Sequence, residues 1–130
     1  MATLAELGAA RYVSLTTFKR DGTPVSTPVW AVGEDGRLLV WSAATTWKVR
    51  RIRRDAHVRV AKCTGTGKLR GEPVEATARI LPETEHVRTL IAHKYGLAYR
   101  LVRGLGIVGR WVRRRPEAES VTIELVPPGA

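Results

Sequence analysis

The chain has one cysteine, one phenylalanine, three histidines and only 12 acidic residues against 22 Lys and Arg. Each scarcity excludes something. A lone cysteine, Cys63, makes no internal disulfide, which points to a reducing compartment. It sits in "VRVAKC" with no cluster of His, Lys or Cys around it, and reads as a small semi-buried residue. No apolar run approaches the ~20 residues needed to cross a bilayer. The opening "MATLAELGAA" lacks the charged and apolar regions of a secretory signal, so the expectation is a cytoplasmic protein away from membranes. Metal-ligand spacings, Ser-His-Asp logic and Walker or Rossmann glycine patterns are all missing, and no metal is expected. The shortage of acids leaves a net charge of +10 on 130 residues. A charge of that size attracts an anion: nucleic acid, acidic lipid, or a phosphorylated or polycarboxylated small molecule.

What is present is one domain, residues 1–130, rich in strand signals. A short helix is expected over 3–9. "YVSLTTF" (12–18), "TPVSTPVWAV" (23–32) and "RLLVWS" (37–42) read as strands, joined at the turn signals "RDG" and "EDG" into an antiparallel meander. "TTWKVRRIRRD" (45–55) switches to helical spacing, with Val49, Ile52 and Ala56 as its apolar stripe and Thr45 or Thr46 as its cap. "HVRVAKC" (57–63) is a strand and "TGTGKLRGE" (64–72) a Gly-rich loop. "PVEATARIL" (73–81) is a strand with Val74, Ala76, Ala78 and Ile80 on one face. A helix over 83–96 carries Val87, Leu90 and Ile91. A second, poorly periodic helix is expected over 97–115, and "SVTIELV" (120–126) is the last strand. Six strands that do not alternate regularly with helices predict a mainly β (α+β) domain, a small antiparallel barrel with helices packed outside.

The chemistry concentrates at "WSAATTWKVRRIRRD" (41–55). A helix N-terminus presents unpaired N–H groups and partial positive charge, which favours phosphate. Thr45 and Thr46 add hydroxyls, Lys48 lies in the first turn, and Arg51 follows three residues on. Basic residues in a first turn oppose the helix dipole unless an anion answers them, and such a broken local rule marks functional places. For Arg50, Arg53 and Arg54 the plain reading is a solvated helix face. Pro24 and Pro28 put the strand 23–32 at a sheet edge or leave part of it free for something else. Trp30 and Trp41 stand on neighbouring strands near this helix, and two readings are open: core packing, or a slot for a flat ring system.

Taken together, "RDGTPVSTPVWAVGEDGRLLVWSAATTWKVRRIRRDAHVRVA" resembles the N-terminal half of the pyridoxamine 5′-phosphate oxidase-like (PNPOx-like), FMN-binding split β-barrel proteins. Among them it is most similar to the short actinobacterial-type oxidoreductases that use coenzyme F420, a deazaflavin. The resemblance runs from about residue 8 to 82 and returns at "VTIEL". It implies a six-stranded antiparallel split barrel and a homodimer with two cofactor sites at the interface. The cofactor ring would lie along Ser26, Thr27, Pro28, Val29, Trp30 and Ala31. The phosphate end would meet Trp41 and Ser42 and the helix start at Thr46, Trp47, Lys48 and Arg51, with Lys48 matching the family's phosphate-binding lysine. Where the true oxidases have Arg before that lysine, this chain has Trp47, which weakens FMN as the cofactor. The C-terminal Arg motif that holds pyridoxal phosphate is absent, so oxidation of pyridoxamine phosphate is rejected.

The implied function is a deazaflavin-dependent reductase acting on a small organic acceptor. The alternatives are an FMN-dependent oxidoreductase, or a barrel that binds flavin, haem or tetrapyrrole without turnover. A phosphodiester with a polyglutamate tail suits a basic groove of Lys48, Arg51 and Arg54, with Lys68 or Arg70 from the Gly-rich loop. Nucleic acid is not expected, because the basic residues are not interleaved with exposed aromatics. No proton donor stands out. Tyr12, His57, His86, His93, Tyr95 and Tyr99 qualify by type only, and His93 and Tyr95 suit a structural role.

Overall fold

In the computed structural model, residues 3–98 and 120–128 are described. The helix expected over 97–115 therefore lies outside the described residues beyond its first two positions. The element order is α1 (Leu4–Leu7), β1 (Tyr12–Phe18), β2 (Pro24–Val29), β3 (Ala31–Glu34), β4 (Arg37–Ala43), α2 (Trp47–Arg54), β5 (His57–Cys63), β6 (Val74–Pro82), α3 (Glu85–Tyr95) and β7 (Ser120–Val126).

One antiparallel sheet of seven strands, in the order β2-β1-β5-β6-β7-β4-β3, holds the molecule together. The sequence predicts six, and the difference is a single residue. The stretch 23–32 is not one strand but two, divided at Trp30. Before the break, Val29 pairs with Val13 of β1; after it, Ala31 pairs with Val40 of β4. So β2 and β3, the two outermost strands of the sheet, are consecutive pieces of one chain segment. The sheet has to curl until its edges meet at Trp30, yet no ladder joins those edges. This is a split barrel: closed by the covalent chain, open between its edge strands. The expected meander is corrected in the same way, since the segment pairs with its two neighbours one half at a time.

Period two survives the break. Val29 and Ala31 both face the barrel interior, with Val13, Leu15, Leu38, Val40, Val58, Val60, Ala76, Ala78, Ile123 and Leu125. Leu4 and Leu7 of α1, and Val49 and Ile52 of α2, complete that core. Each such side chain contributes roughly 1.5–3 kcal/mol by leaving water. A second cluster lies on the outer face, where Val87, Ile91 and Tyr95 of α3 cover Val32 and Leu39, with Trp30 and Trp41 packed against them.

Both Asp-Gly turns form as expected. Asp35 (φ 52°) and Gly36 (φ 77°) adopt the left-handed pair that a two-residue hairpin needs. Gly22 (φ 87°) closes the first hairpin, its N–H reaching the Lys19 carbonyl at 2.9 Å. α2 stops at Arg54, short of the expected Ala56. The Ala56 carbonyl instead accepts the Ala78 N–H at 2.8 Å, so the strand ladder takes over where the helical stripe would have continued.

Candidate functional site

α2 forms because Val49 and Ile52 bury one narrow stripe against the barrel while every other position is polar or exposed. Its start is unusual. Thr46 stands at the N-cap with the extended backbone of a capping residue (φ −72°, ψ 155°), but its side chain does not cap. The Thr46 hydroxyl donates backwards to the Ala43 carbonyl at 3.2 Å and lies 3.3 Å from the Ser42 hydroxyl. The first intrahelical donor is Arg50, whose N–H reaches the Thr46 carbonyl at 3.3 Å. The N–H groups of Trp47, Lys48 and Val49 precede it, so they have no intrahelical acceptor. No acidic residue stands in that first turn.

Lys48 is half-buried beside these groups. Burial pushes its ammonium below the ordinary lysine range, and no carboxylate counters the shift. Among the described residues, none of Lys48, Arg50, Arg51, Arg53 and Arg54 forms an ion pair. Arg54 is satisfied differently, donating to the Phe18 carbonyl at the far end of the helix. Arg50 lies over the Trp47 indole, its guanidinium carbon 4.8 Å from the ring centroid. Trp47 is 66% exposed. Ser42, Thr46, Trp47, Lys48 and Arg51 are thus gathered on the last residues of β4 and on α2.

The residues expected along the ring, 26–31, do not share one environment. Ser26 and Pro28 are exposed on the outer face of the edge strand β2, with the Ser26 hydroxyl 2.7 Å from that of Thr16. Thr27 is partly buried, and Val29 belongs to the core. Trp30 stacks on Tyr95, with centroids 4.4 Å apart and planes at 10°. The Ala31 N–H donates to the Tyr95 hydroxyl at 3.0 Å, and that hydroxyl lies 2.8 Å from the Arg11 carbonyl, to which it donates. Lys94 donates to the carbonyls of Gly8 (2.9 Å), Ala10 (2.7 Å) and Ala31. Burial, and then the charge of Arg11, holds the Lys94 ammonium below its ordinary range. The end of α3 therefore fixes the strand break, a role that sequence reasoning missed for Lys94. Trp41 also faces α3, its indole N–H donating to Glu83 at 2.9 Å.

The Gly-rich loop lies across the outer face of β1 and β2. A Cβ at Gly65 would sit 3.3 Å from the Tyr12 ring, and one at Gly67 would sit 3.9 Å from Pro28. Lys68 and Arg70 are exposed on it. Among the proton-donor candidates, Tyr95 is buried and bonded, His57 stacks on Phe18 and pairs with Glu75, and His86 lies 2.6 Å from Glu34. His93 is exposed, Tyr12 lies under the loop, and Tyr99 falls outside the described residues. Cys63 is buried and its thiol is pushed up by burial, an inert arrangement. A cavity of about 520 Å³ between α2 and the ends of β6 and β7 has Ile80, Leu81 and Val121 on its walls with Arg53 and Glu83, and none of the expected site residues. Among the described residues, no group of His, Cys, Asp or Glu is placed to hold a metal ion, and no helix is long and apolar enough to cross a membrane.

Comparison with known proteins is informative at the level of fold. The chain superposes on the structure of an F420 reductase over 99% of its own length and 95% of that chain, at 18% identity and a TM-score of 0.65. The heme storage protein HutZ of Vibrio cholerae matches over 95% of this chain and 86% of its own, at 14% identity and a TM-score of 0.62. A pyridoxamine 5′-phosphate oxidase-related, FMN-binding protein of Nostoc punctiforme matches over 90% and 70%, at 12% identity and a TM-score of 0.58. No curated protein matches in sequence. The pyridoxamine 5′-phosphate oxidase family model covers residues 2–120, and the chain belongs to that family.

Proposed function

We propose that this protein is a coenzyme F420-dependent oxidoreductase, a reductase that passes hydride to a small organic acceptor. The observation that carries the reading is the start of α2: a half-buried, unpaired Lys48 beside uncapped N–H groups, on a helix whose cations have no carboxylate partner among the described residues. Those groups fit a phosphate ester, and the likeness to an F420 reductase over nearly the whole of both chains supports the deazaflavin.

In this reading, Lys48 and the N–H groups of Trp47, Lys48 and Val49 hold the phosphodiester. Ser42 and Thr46 line its entrance, and both hydroxyls can turn from the Ala43 carbonyl toward an anion. Arg51 meets carboxylates of the polyglutamate tail, with Lys68 and Arg70 farther out. Arg54, committed to Phe18, contributes field rather than contact. The exposed part of β2 around Ser26 and Pro28 carries the ring. When bound, the reduced deazaflavin supplies hydride from its ring carbon C5 to an electron-poor double bond. The protein's part is to bind, orient and exclude water. A homodimer belongs to the same proposal, motivated by the exposed β2 edge with its two prolines, and sedimentation showing only monomer at micromolar concentration would remove the shared-site model.

Titration of F420 and FMN at two salt concentrations tests the cofactor. Affinity for F420 should rise with tail length and fall with salt, since screening acts over about 10 Å at 0.1 M. FMN should bind more weakly, with a shallower salt dependence. Tighter binding of FMN, with no effect of tail length, would make this an FMN-dependent protein instead.

A further inference from the structure

We infer that Arg50 is the second cation of the α2 site, a specificity residue that reads an anionic group next to the phosphate, and that the exposed Trp47 indole positions it. The inference rests on the proposed phosphate site at Lys48 and extends it to a residue that the sequence pattern assigns to the solvated helix face.

Trp47 and Arg50 are three residues apart on α2, so their side chains share a face. Helical side chains lean toward the N-terminus. Arg50 follows that lean, its guanidinium carbon lying 4.8 Å from the Trp47 ring centroid, and Trp47 is the first residue of the helix. The charge of Arg50 is thereby carried back to the first turn, the positive end of the helix dipole, near the unpaired ammonium of Lys48. Without a ligand this is a poor place for a guanidinium: it joins a like charge and a like dipole, and no described carboxylate is paired with it. The indole is what holds it there. Trp47 remains 66% exposed, which an apolar role would not favour, and a guanidinium over an aromatic face is the arrangement that makes use of such a ring.

Two cations of different kind then flank one helix start. The compact ammonium of Lys48 is half-buried, close to the N–H groups. The planar guanidinium of Arg50 is outside, with its donors free for a flat, bidentate anion such as a carboxylate. The matching ligand carries a phosphate ester with a second anionic group a short distance beyond it.

The test measures binding of F420 with short and long tails, and of FMN, followed at the cofactor's visible band. Arg50→Ala should weaken F420 binding about five- to tenfold, flatten its salt dependence, and affect FMN less. Trp47→Phe should keep wild-type affinity, because a ring remains. Trp47→Ala should lose two- to threefold while keeping the wild-type charge. In the Arg50→Ala background, Trp47→Arg should recover most of the loss by supplying the cation from the neighbouring position. Both side chains are exposed, so unchanged thermal unfolding verifies the fold of each variant. If Arg50→Ala binds F420 within twofold of wild type while Lys48→Ala loses tenfold, Arg50 is solvated surface and this inference is wrong, with the phosphate site intact. If Lys48→Ala also binds normally, or wild type binds neither cofactor, the site itself is misplaced and both readings fall.

Discussion

α2 and α3 begin alike and end up with opposite characters. Each starts at a threonine with extended backbone, Thr46 at φ −72° and ψ 155°, Thr84 at φ −120° and ψ 158°. Thr84 caps in the ordinary way, accepting the Val87 N–H at 3.3 Å, with acidic Glu85 in the first turn and His93 and Lys94 in the last. Thr46 turns its hydroxyl away from its helix, and cations follow where acids belong. α3 is a helix whose polar groups are answered within the molecule. α2 leaves its donors and charges unanswered. The comparison separates a helix built to hold the fold from one whose incomplete interactions suit a ligand.

The largest expected effect tests the self-sufficient helix. Lys94→Ala removes one donor from three backbone carbonyls and should cost about 3 kcal/mol of stability in urea unfolding, the upper part of the range for leaving buried acceptors unpaired. A loss under about 1 kcal/mol would mean that α3 does not anchor the strand break. Next comes the incomplete helix. Lys48→Ala should weaken cofactor binding by ~1.5–3 kcal/mol and leave stability within ~0.5 kcal/mol. Arg53→Ala should weaken binding much less, and equal losses at the two positions would erase the distinction. The caps give the sharpest pairing. Thr84→Ala should cost about 1 kcal/mol of stability, Thr46→Ala only a few tenths, because only the first removes a capping bond. Equal costs would show that the two threonines do the same job.

The smallest effect is in pH. Burial lowers the Lys48 pKa, so its proton is lost at a lower pH than from an ordinary lysine, near 10.4. The anion is held by the protonated form, so cofactor affinity should decline on the alkaline side before that value is reached. Lys48→Arg keeps its charge and should remove the decline, even where it binds less well at neutral pH. An alkaline limb that persists unchanged in Lys48→Arg would assign it to another group.

Much of the fold was legible because local signals and the sheet agree. The Asp35–Gly36 turn, the alternation of β6 and the apolar stripe of α3 all appear where the spacing places them. The strand break was not legible. Val29 and Ala31 keep period two straight through Trp30, so the pattern reads as one strand, and the change of partner is made by β1 and β4. For the site, Lys48 could be found from the passage of a strand through small residues into a basic helix. The roles of Trp30 and Trp41 could not, because the helix that covers them comes some distance later in the chain. Arg50 was obscured for the opposite reason. A run of arginines looks solvated, and only the lean of one side chain onto Trp47 distinguishes it.

The position of β7 bears on how the molecule is made. This strand lies between β6 and β4, so the hairpin of β3 and β4 is laddered to the rest of the sheet only through it. During synthesis, the two parts of the barrel emerge joined at Trp30 and still unzipped. They stay so until residues 120–126 leave the ribosome and slide in between. Ile123 and Leu125 fill the core in the same step, which makes the last strand the one that turns two hydrophobic fragments into a protein.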